Sequence, residues 1–339
     1  METTVLQRLK ETISSRAQNI TDLLKNAAPQ TIKIRTGSAA ESSIQEELSL
    51  LQHTMQKTED KTIGLCEVCN DFVETRRLEM DYTACVCIEH MTGAERTILE
   101  NDLELSAKVQ QALLPHVVPH VQHVDIAAFS QPARIVGGDY FDFLKFKDGS
   151  HAILIADVMG KGMPASMLMA SLQASIRIII PESSEPSEVV ARLNHLFCHN
   201  IRLTNFVTLF LAKYRETDRT FTYCNAGHNP PLVRRRDGTI ESMQPTGAAI
   251  GLIEQTSFEQ RDMTLHSGDS VLIYTDGVVE SMNEQKELFG QQRLEDYVRH
   301  VAHTTAHQTI SGLKEQLKNF SSTTIPSDDT TIIALKVLA

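Results

Sequence analysis

The sequence predicts an α+β protein: a sandwich of β-sheets covered by helices, preceded by a helical hairpin. Three observations predict it. From about residue 122 onward, short β-branched runs recur at 124–129, 152–155, 207–214, 220–225, 270–274 and 331–337. Stretches with helical apolar spacing interrupt them at about 163–179, 186–202, 291–301 and 307–319. Strands and helices arranged this way favour layered sheets with helices on their faces. The N-terminal part, by contrast, shows helical periodicity and one cysteine-rich segment.

Elements follow in order along the chain. Residues 1–26 carry Leu6, Leu9, Ile13, Ile20 and Leu23 at helical spacing, with charged residues between. Residues 27–43 hold Pro29, Gly37 and several serines, and read as a turn. A second helix follows with Ile44, Leu48, Leu51 and Met55 on one face. Neither helix is long enough to be stable alone, so the pair reads as an antiparallel hairpin. A cysteine-rich segment spans 64–91. A polar helix from about 94 to 113 then places Ile98, Leu105, Val109 and Ala112 on one face, a pattern suited to a dimer coiled coil. Pro115 ends it. The expected division is 1–92 for the hairpin and cysteine segment, 93–115 for a connecting helix and 116–339 for the sandwich.

The totals narrow the function. At 339 residues and 41% hydrophobic content, the chain can build two domains with substantial cores. A net charge of −11 argues against a broad nucleic-acid surface. No run of about 18 apolar residues occurs, so no membrane span is expected. The first residues lack a basic-then-apolar signal pattern, and the protein reads as cytoplasmic. Of six cysteines, four fall between residues 66 and 87, which in a reducing compartment points to metal rather than disulfides.

Cys66-Glu-Val-Cys69 and Cys87-Ile-Glu-His90 are two short knuckles separated by seventeen residues. Together they can close a tetrahedral Zn²⁺ site and staple a segment too small to hold a core. Cys85 is spare. Ile63-Gly-Leu-Cys-Glu-Val-Cys, Arg77-Leu-Glu and Cys87-Ile-Glu-His90, after a helical hairpin, resemble the DksA/TraR group of zinc-finger proteins over residues 1–92. That group commonly uses four cysteines, where this chain has His90. Its classic members bind RNA polymerase through acids at the hairpin tip. The tip here, Thr31-Ile-Lys-Ile-Arg-Thr-Gly-Ser, is basic, and the module reads as a sensory, docking or dimerisation unit.

The strongest chemical signal is a set of aspartates in four short motifs. They are Asp139 and Asp142 in Gly-Gly-Asp-Tyr-Phe-Asp, Asp157 in Ile-Ala-Asp-Val-Met-Gly-Lys-Gly, Asp276 in Leu-Ile-Tyr-Thr-Asp-Gly, and Asp328-Asp329. Most of them follow or precede an apolar, β-branched run. Carboxylates at strand ends suit hard divalent cations, which prefer oxygen ligands. Two such ions can bind a phosphate and activate water for in-line attack. Gly160-Lys161-Gly162 is no phosphate loop, since the flanking residues of that motif are missing.

This set, with Asn225-Ala-Gly-His-Asn-Pro-Pro231 between, closely resembles the PPM (PP2C-like) serine/threonine phosphatases of the SpoIIE/RsbU type. The likeness covers 105–339 and includes Leu113-Leu-Pro, Pro132-Ala-Arg134, Asp157-Val-Met-Gly-Lys-Gly-Met-Pro-Ala and Thr246-Gly-Ala-Ala-Ile-Gly-Leu. It implies two packed antiparallel β-sheets flanked by helices, with two Mn²⁺ or Mg²⁺ ions between them. Asp139, Asp157, Asp276 and Asp328 become the catalytic metal ligands. Asp139 bridges, the Val158 carbonyl joins Asp157, and Asp329 is the alternative to Asp328 if the register slips by one. Asp142 acts through water or as support. Arg134 has two readings, a phosphate contact or a tie between strands. His228 reads as shaping its loop, and Cys198 and Cys224 as core. The eukaryotic branch has a histidine where this chain has Met159, so no general acid is identified.

The resulting expectation is a metal-dependent phosphatase acting on phosphoserine or phosphothreonine of a regulatory protein. The resemblance implies a STAS-type anti-sigma-factor antagonist as that protein. The N-terminal module would regulate the enzyme, with a homodimer through the connecting helix. The competing expectation is a transcription regulator or scaffold that docks through the zinc-finger hairpin.

Overall fold

The structure is a computed structural model, and it describes residues 10, 13–14, 18, 41–60, 62–69, 71–74, 77–78, 84–200, 206–302, 304–321 and 328–339. Most of the expected first helix, the 27–40 turn with its basic tip, and Pro326-Ser327 lie outside the described residues. The chain divides into two compact units, Met1–Asp102 and Leu103–Ala339.

In the first unit, helix α1 (Glu41–Glu59) buries Leu51 among Ile13, Ile63, Val73, Leu78, Ala84, Cys66 and Cys87. Leu65 and Phe72 pair as an isolated antiparallel bridge, and a 3₁₀ turn spans Ile88–His90. The Arg77 guanidinium donates to the Val86 carbonyl at 2.5 Å, and Glu74 accepts from the Ile88 N–H at 2.9 Å. Helix α2 (Gly93–Leu113) begins in this unit and ends in the next.

The second unit is built on two five-stranded sheets in which every named pairing is antiparallel. Its elements in chain order are β1 (Val124–Gln131), β2 (Asp139–Lys145), β3 (His151–Val158), α3 (Met163–Ile179), α4 (Pro186–Asn200), β4 (Val207–Arg215), β5 (Thr220–Ala226), β6 (Leu232–Arg234), β7 (Ile240–Ser242), β8 (Arg261–Thr264), β9 (Ser270–Tyr274), α5 (Asp276–Val279), α6 (Gly290–His300), α7 (Ala306–Ser321) and β10 (Thr330–Val337). One sheet has the order β1-β10-β9-β6-β7 and the other β2-β3-β4-β5-β8.

Successive residues of a strand face opposite sides of its sheet, and here both sides are covered. Ile153 and Ile155 of β3 meet Ile273, Ile333 and Leu335 of the facing sheet. Leu154 and Ala156 turn the other way, against Met169, Leu172 and Ile176 of α3 and Val189 and Leu193 of α4. On the opposite flank, Leu272, Ile332 and Ala334 pack under Leu294, Val298, Ile310 and Leu313 of α6 and α7. Strands buried on two faces read as continuous apolar runs rather than alternating ones, which is why β3 and β10 stand out in the sequence. The expected sandwich of antiparallel sheets flanked by helices is the fold observed.

The differences are local. Strand β2 carries two aspartates and was obscured by its own motif. Strands β6, β7 and β8 have three or four residues each, too few to show a period. One described segment, Met163–Glu182, is long and apolar enough to cross a membrane by length and composition. It serves as a covering helix here: Ala165, Met169, Leu172, Ile176 and Ile179 are buried in the protein core.

Candidate active site

The topology brings four strand ends to one edge of the sandwich. Asp139 opens β2 and Asp157 lies near the end of β3, directly opposite it in register. In the other sheet β9 ends at Tyr274 and β10 starts at Thr330, so Asp276 follows one strand and Asp328-Asp329 precede its neighbour. The geometry thus gathers Asp139, Asp157, Asp276, Asp328 and Asp329 from positions up to 190 residues apart.

Their charges interact strongly. Burial, then the charges of Asp157 and Asp329, raises the Asp139 carboxyl well above the usual range. Burial, then Asp276, Asp328 and Asp329, pushes Asp157 up to about 7, with Lys161 opposing. Burial, then Asp328 and Glu280, pushes Asp276 up to about 6. Like charges that share a desolvated site raise one another in this way. A cation placed among them would reverse the effect.

Hydrogen bonds set the individual carboxylates. Asp139 Oδ2 accepts from Thr275 Oγ1 at 2.8 Å, and Thr275 Oγ1 accepts from the Thr331 N–H at 2.9 Å, so three strand ends share one hydroxyl. Asp329 accepts from the backbone N–H groups of Ala133 at 2.8 Å and Gly138 at 2.6 Å, one on each oxygen. It therefore ties the loop before β2 to the start of β10. Asp328 uses only Oδ1 on backbone, accepting from the Asp329 N–H at 2.9 Å. Its Oδ2 takes the Lys161 ammonium at 2.6 Å.

Glycines make these approaches possible. A Cβ on Gly137 would overlap the Asp329 carboxylate, and one on Gly277 would overlap the Asp329 carbonyl. Gly138 leaves the Val158 carbonyl oxygen 2.7 Å from where a Cβ would stand. Gln110 of α2 clamps the same loop. Its Nε2 donates to the Gly137 carbonyl at 2.6 Å, and its Oε1 accepts from the Gly137 N–H at 3.0 Å.

Asp142 is not part of the cluster. It lies three positions after Asp139, which on a strand is the opposite face. Its buried carboxylate accepts from Tyr140 Oη at 2.5 Å and from the exposed Arg177 Nε of α3 at 2.9 Å, a link between sheet and helix. His228 is buried, and burial holds its ring down to about 4 and hence neutral. Its Nδ1 pairs with Thr208 Oγ1 at 2.8 Å, and its backbone N–H donates to Asn225 Oδ1 at 2.8 Å, contacts that shape the loop. Cys224 lies in the core and its thiol is pushed by burial up to about 11, while Cys198 is half-buried. Arg134 is exposed near Gly162, without a hydrogen bond or ion pair among the described residues.

The first unit carries a second constellation. One donor atom from each of Cys66, Cys69, Cys87 and His90 lies within 4.8 Å of all the others. Cys87 Sγ stands 3.0 Å from His90 Nδ1 and 3.9 Å from Cys69 Sγ. The backbone N–H of Cys87 holds the Cys66 thiol down to about 6, close to the thiolate a metal requires. Cys85 is outside this group.

Sequence reasoning overlooked Gln110, Lys161, Thr275 and Arg177. Gln110 and Arg177 sit in ordinary helical stretches, and nothing local distinguishes them. Lys161 and Thr275 lie inside motifs read for their aspartates and glycines.

Comparison with known proteins gives the family and the fold. The family model for stage II sporulation protein E (SpoIIE) matches residues 147–338. The phosphoserine phosphatase RsbU of Bacillus subtilis is 31% identical over 251 residues, 73% of this chain and 74% of RsbU. The solved RsbU and RsbW domains of Rv1364c from Mycobacterium tuberculosis are 28% identical, with a TM-score of 0.57 over 67% of this chain and 63% of theirs. The solved SiaA-PP2C domain of Pseudomonas aeruginosa has a TM-score of 0.64 at 20% identity, covering 73% of this chain and 99% of that domain. This last likeness is one of fold: two antiparallel sheets between helices.

Proposed function

Because the chain belongs to the SpoIIE family and is a protein serine/threonine phosphatase, we propose that it removes phosphate from a phosphoserine or phosphothreonine of a regulatory protein, using two divalent cations at the sandwich edge. The observation that carries this is the cluster of strand-end aspartates, whose mutual repulsion calls for cations. Asp139 and Asp157, with the Val158 carbonyl, would hold one ion, and Asp276 and Asp328 the other, Asp139 bridging. Asp328 suits this role better than Asp329, because both Asp329 oxygens already accept backbone N–H groups. Two bound Mn²⁺ or Mg²⁺ ions would supply an acidified water and offset charge on the phosphoryl oxygens. Thr275 orients Asp139 for this, and Asp329 holds the Gly137-Gly138 loop beneath it. The exposure of Arg134 beside Gly162 supports the phosphate-contact reading over the tie between strands.

Purified protein should hydrolyse an aryl phosphate in added Mn²⁺. Asp276→Asn should lower the rate roughly a hundredfold or more, and a chelator should abolish it. A wild-type protein that binds Mn²⁺ but hydrolyses neither an aryl phosphate nor a phosphoserine protein would favour the scaffold reading. The reading extends to a cytoplasmic enzyme acting on a STAS-type anti-sigma-factor antagonist, as the resemblance in sequence implies, and the likeness to the phosphoserine phosphatase RsbU supports a phosphoserine substrate.

Residues 1–92 form, in this reading, a DksA/TraR-like zinc-finger module with one structural Zn²⁺ on Cys66, Cys69, Cys87 and His90. They regulate the 116–339 phosphatase through the 93–115 helix. Two features of α2 support this. Ile98, Leu105 and Val109 are exposed at heptad spacing, suited to a second copy of the chain. Gln110 grips the loop that leads to Asp139, so movement of α2 would pull on the site. Gln110→Leu should therefore change the Mn²⁺-dependent rate by about tenfold, the scale of a lost supporting contact to a metal site. Sedimentation should show its mass unchanged, whereas Val109→Glu should yield monomers. An unaltered rate in Gln110→Leu would remove α2 as the route of control.

A further inference from the structure

The loop between β3 and α3 has a cation at its centre. Gly160 and Gly162 both adopt positive φ, at 108° and 73°, conformations that other side chains rarely take. They make a tight turn that presents Lys161 to the carboxylate cluster. Lys161 Nζ lies 2.6 Å from Asp328 Oδ2.

Asp328 has limited capacity. Its Oδ1 accepts the Asp329 N–H, which leaves Oδ2 for a cation, and Oδ2 is the atom that Lys161 contacts. A divalent ion on Asp328 would stand within a few ångströms of the ammonium, where like charges repel. The lysine can yield, because its side chain is 40% exposed and its stem is flexible. We propose that Lys161 is a built-in competitor of the divalent cation for Asp328 and so sets the metal concentration at which the phosphatase turns on. The inference rests on the two-cation reading above.

The measurement is a calorimetric titration of the full chain, stripped with chelator, against Mn²⁺ alone. Lys161→Met and Lys161→Gln should each bind Mn²⁺ about threefold to tenfold more tightly than wild type, the scale of one partly exposed ion pair. Lys161→Arg keeps the charge and should stay near wild type. The Mn²⁺ concentration for half-maximal phosphatase activity should fall in the same proportion in the two neutral variants. Equal or weaker Mn²⁺ binding in both neutral variants would overturn the proposal, since a lysine that merely orients Asp328 predicts weaker binding. A wild-type chain that takes up no Mn²⁺ would instead sink the two-cation reading itself.

Discussion

Asp157→Asn should lose roughly a thousandfold in Mn²⁺-dependent phosphatase activity and, in chelator, melt at a higher temperature than wild type. Both effects come from one charge. Asp157 faces Asp139 across two strands and shares its desolvated edge with Asp276, Asp328 and Asp329. An amide of the same shape removes a ligand and also removes the repulsion. The pH dependence follows from the same shift. The Asp157 carboxyl titrates near 7 in the folded chain, against an ordinary value of 3.8, so the folded state holds a proton that the unfolded state has already released. Stability from this group is therefore full at low pH and declines as pH rises through 7. Asp276, pushed up to about 6, acts in the same direction. Chelated wild type should melt lower at about pH 8 than at about pH 5. Asp157→Asn should flatten that slope, and saturating Mn²⁺ should flatten it in wild type. Calorimetry of the two proteins at both pH values checks this. Identical chelated melting curves would show that the carboxylates do not repel one another as their placement requires.

Loss of the zinc proposed for the first unit should be the second large effect. The first unit has a small apolar core, with Ile13, Leu51, Ile63, Val73, Leu78 and Ala84 around Cys66 and Cys87. Cores of this size seldom hold a fold without a staple. Structural zinc contributes on the order of 10 kcal/mol or more in comparable modules, most of it folding free energy. Wild-type protein should therefore carry one zinc per chain, and Cys66→Ser should carry none. The melting transition of the first unit should disappear in Cys66→Ser, while that of the second unit persists. Metal analysis and scanning calorimetry on the full chain read both. A zinc-free wild type with two intact transitions would show that the four donors form a reduced thiol cluster without a metal.

Much of the fold was legible because both faces of its central strands are buried. The run at 152–155 is apolar without interruption, those at 207–214 and 331–337 are mostly apolar with Thr208, Lys213, Thr331 and Lys336 as the exceptions, and the helices over 163–179 and 307–319 keep one apolar face. Strand β2 was not legible, because its inward face opens on an aspartate and its outward face carries another. Alternation explains why Asp142, read as acting through water or as support, stands apart from the cluster: three residues along a strand reverse the side. Arg177 completes the link from Asp142 to a helix 35 residues away, a distance no local pattern spans.

The sequence by itself determined the chemistry on offer: which segments become strands, where acids interrupt them, and that two knuckles of soft ligands lie close along the chain. These are local properties, written in period, composition and short spacing. Tertiary structure alone decided which acids meet. It set Asp139 and Asp157 in register, brought Asp276 and Asp328 from the second sheet, gave Asp329 to the backbone of the Gly137-Gly138 loop and turned Asp142 away. It also placed Lys161 on the open oxygen of Asp328 and Gln110 on Gly137. The physical reason is that sheet pairing and backbone hydrogen bonds act between residues far apart in sequence. Whether a carboxylate is free for a cation or already taken by an N–H depends on those distant partners.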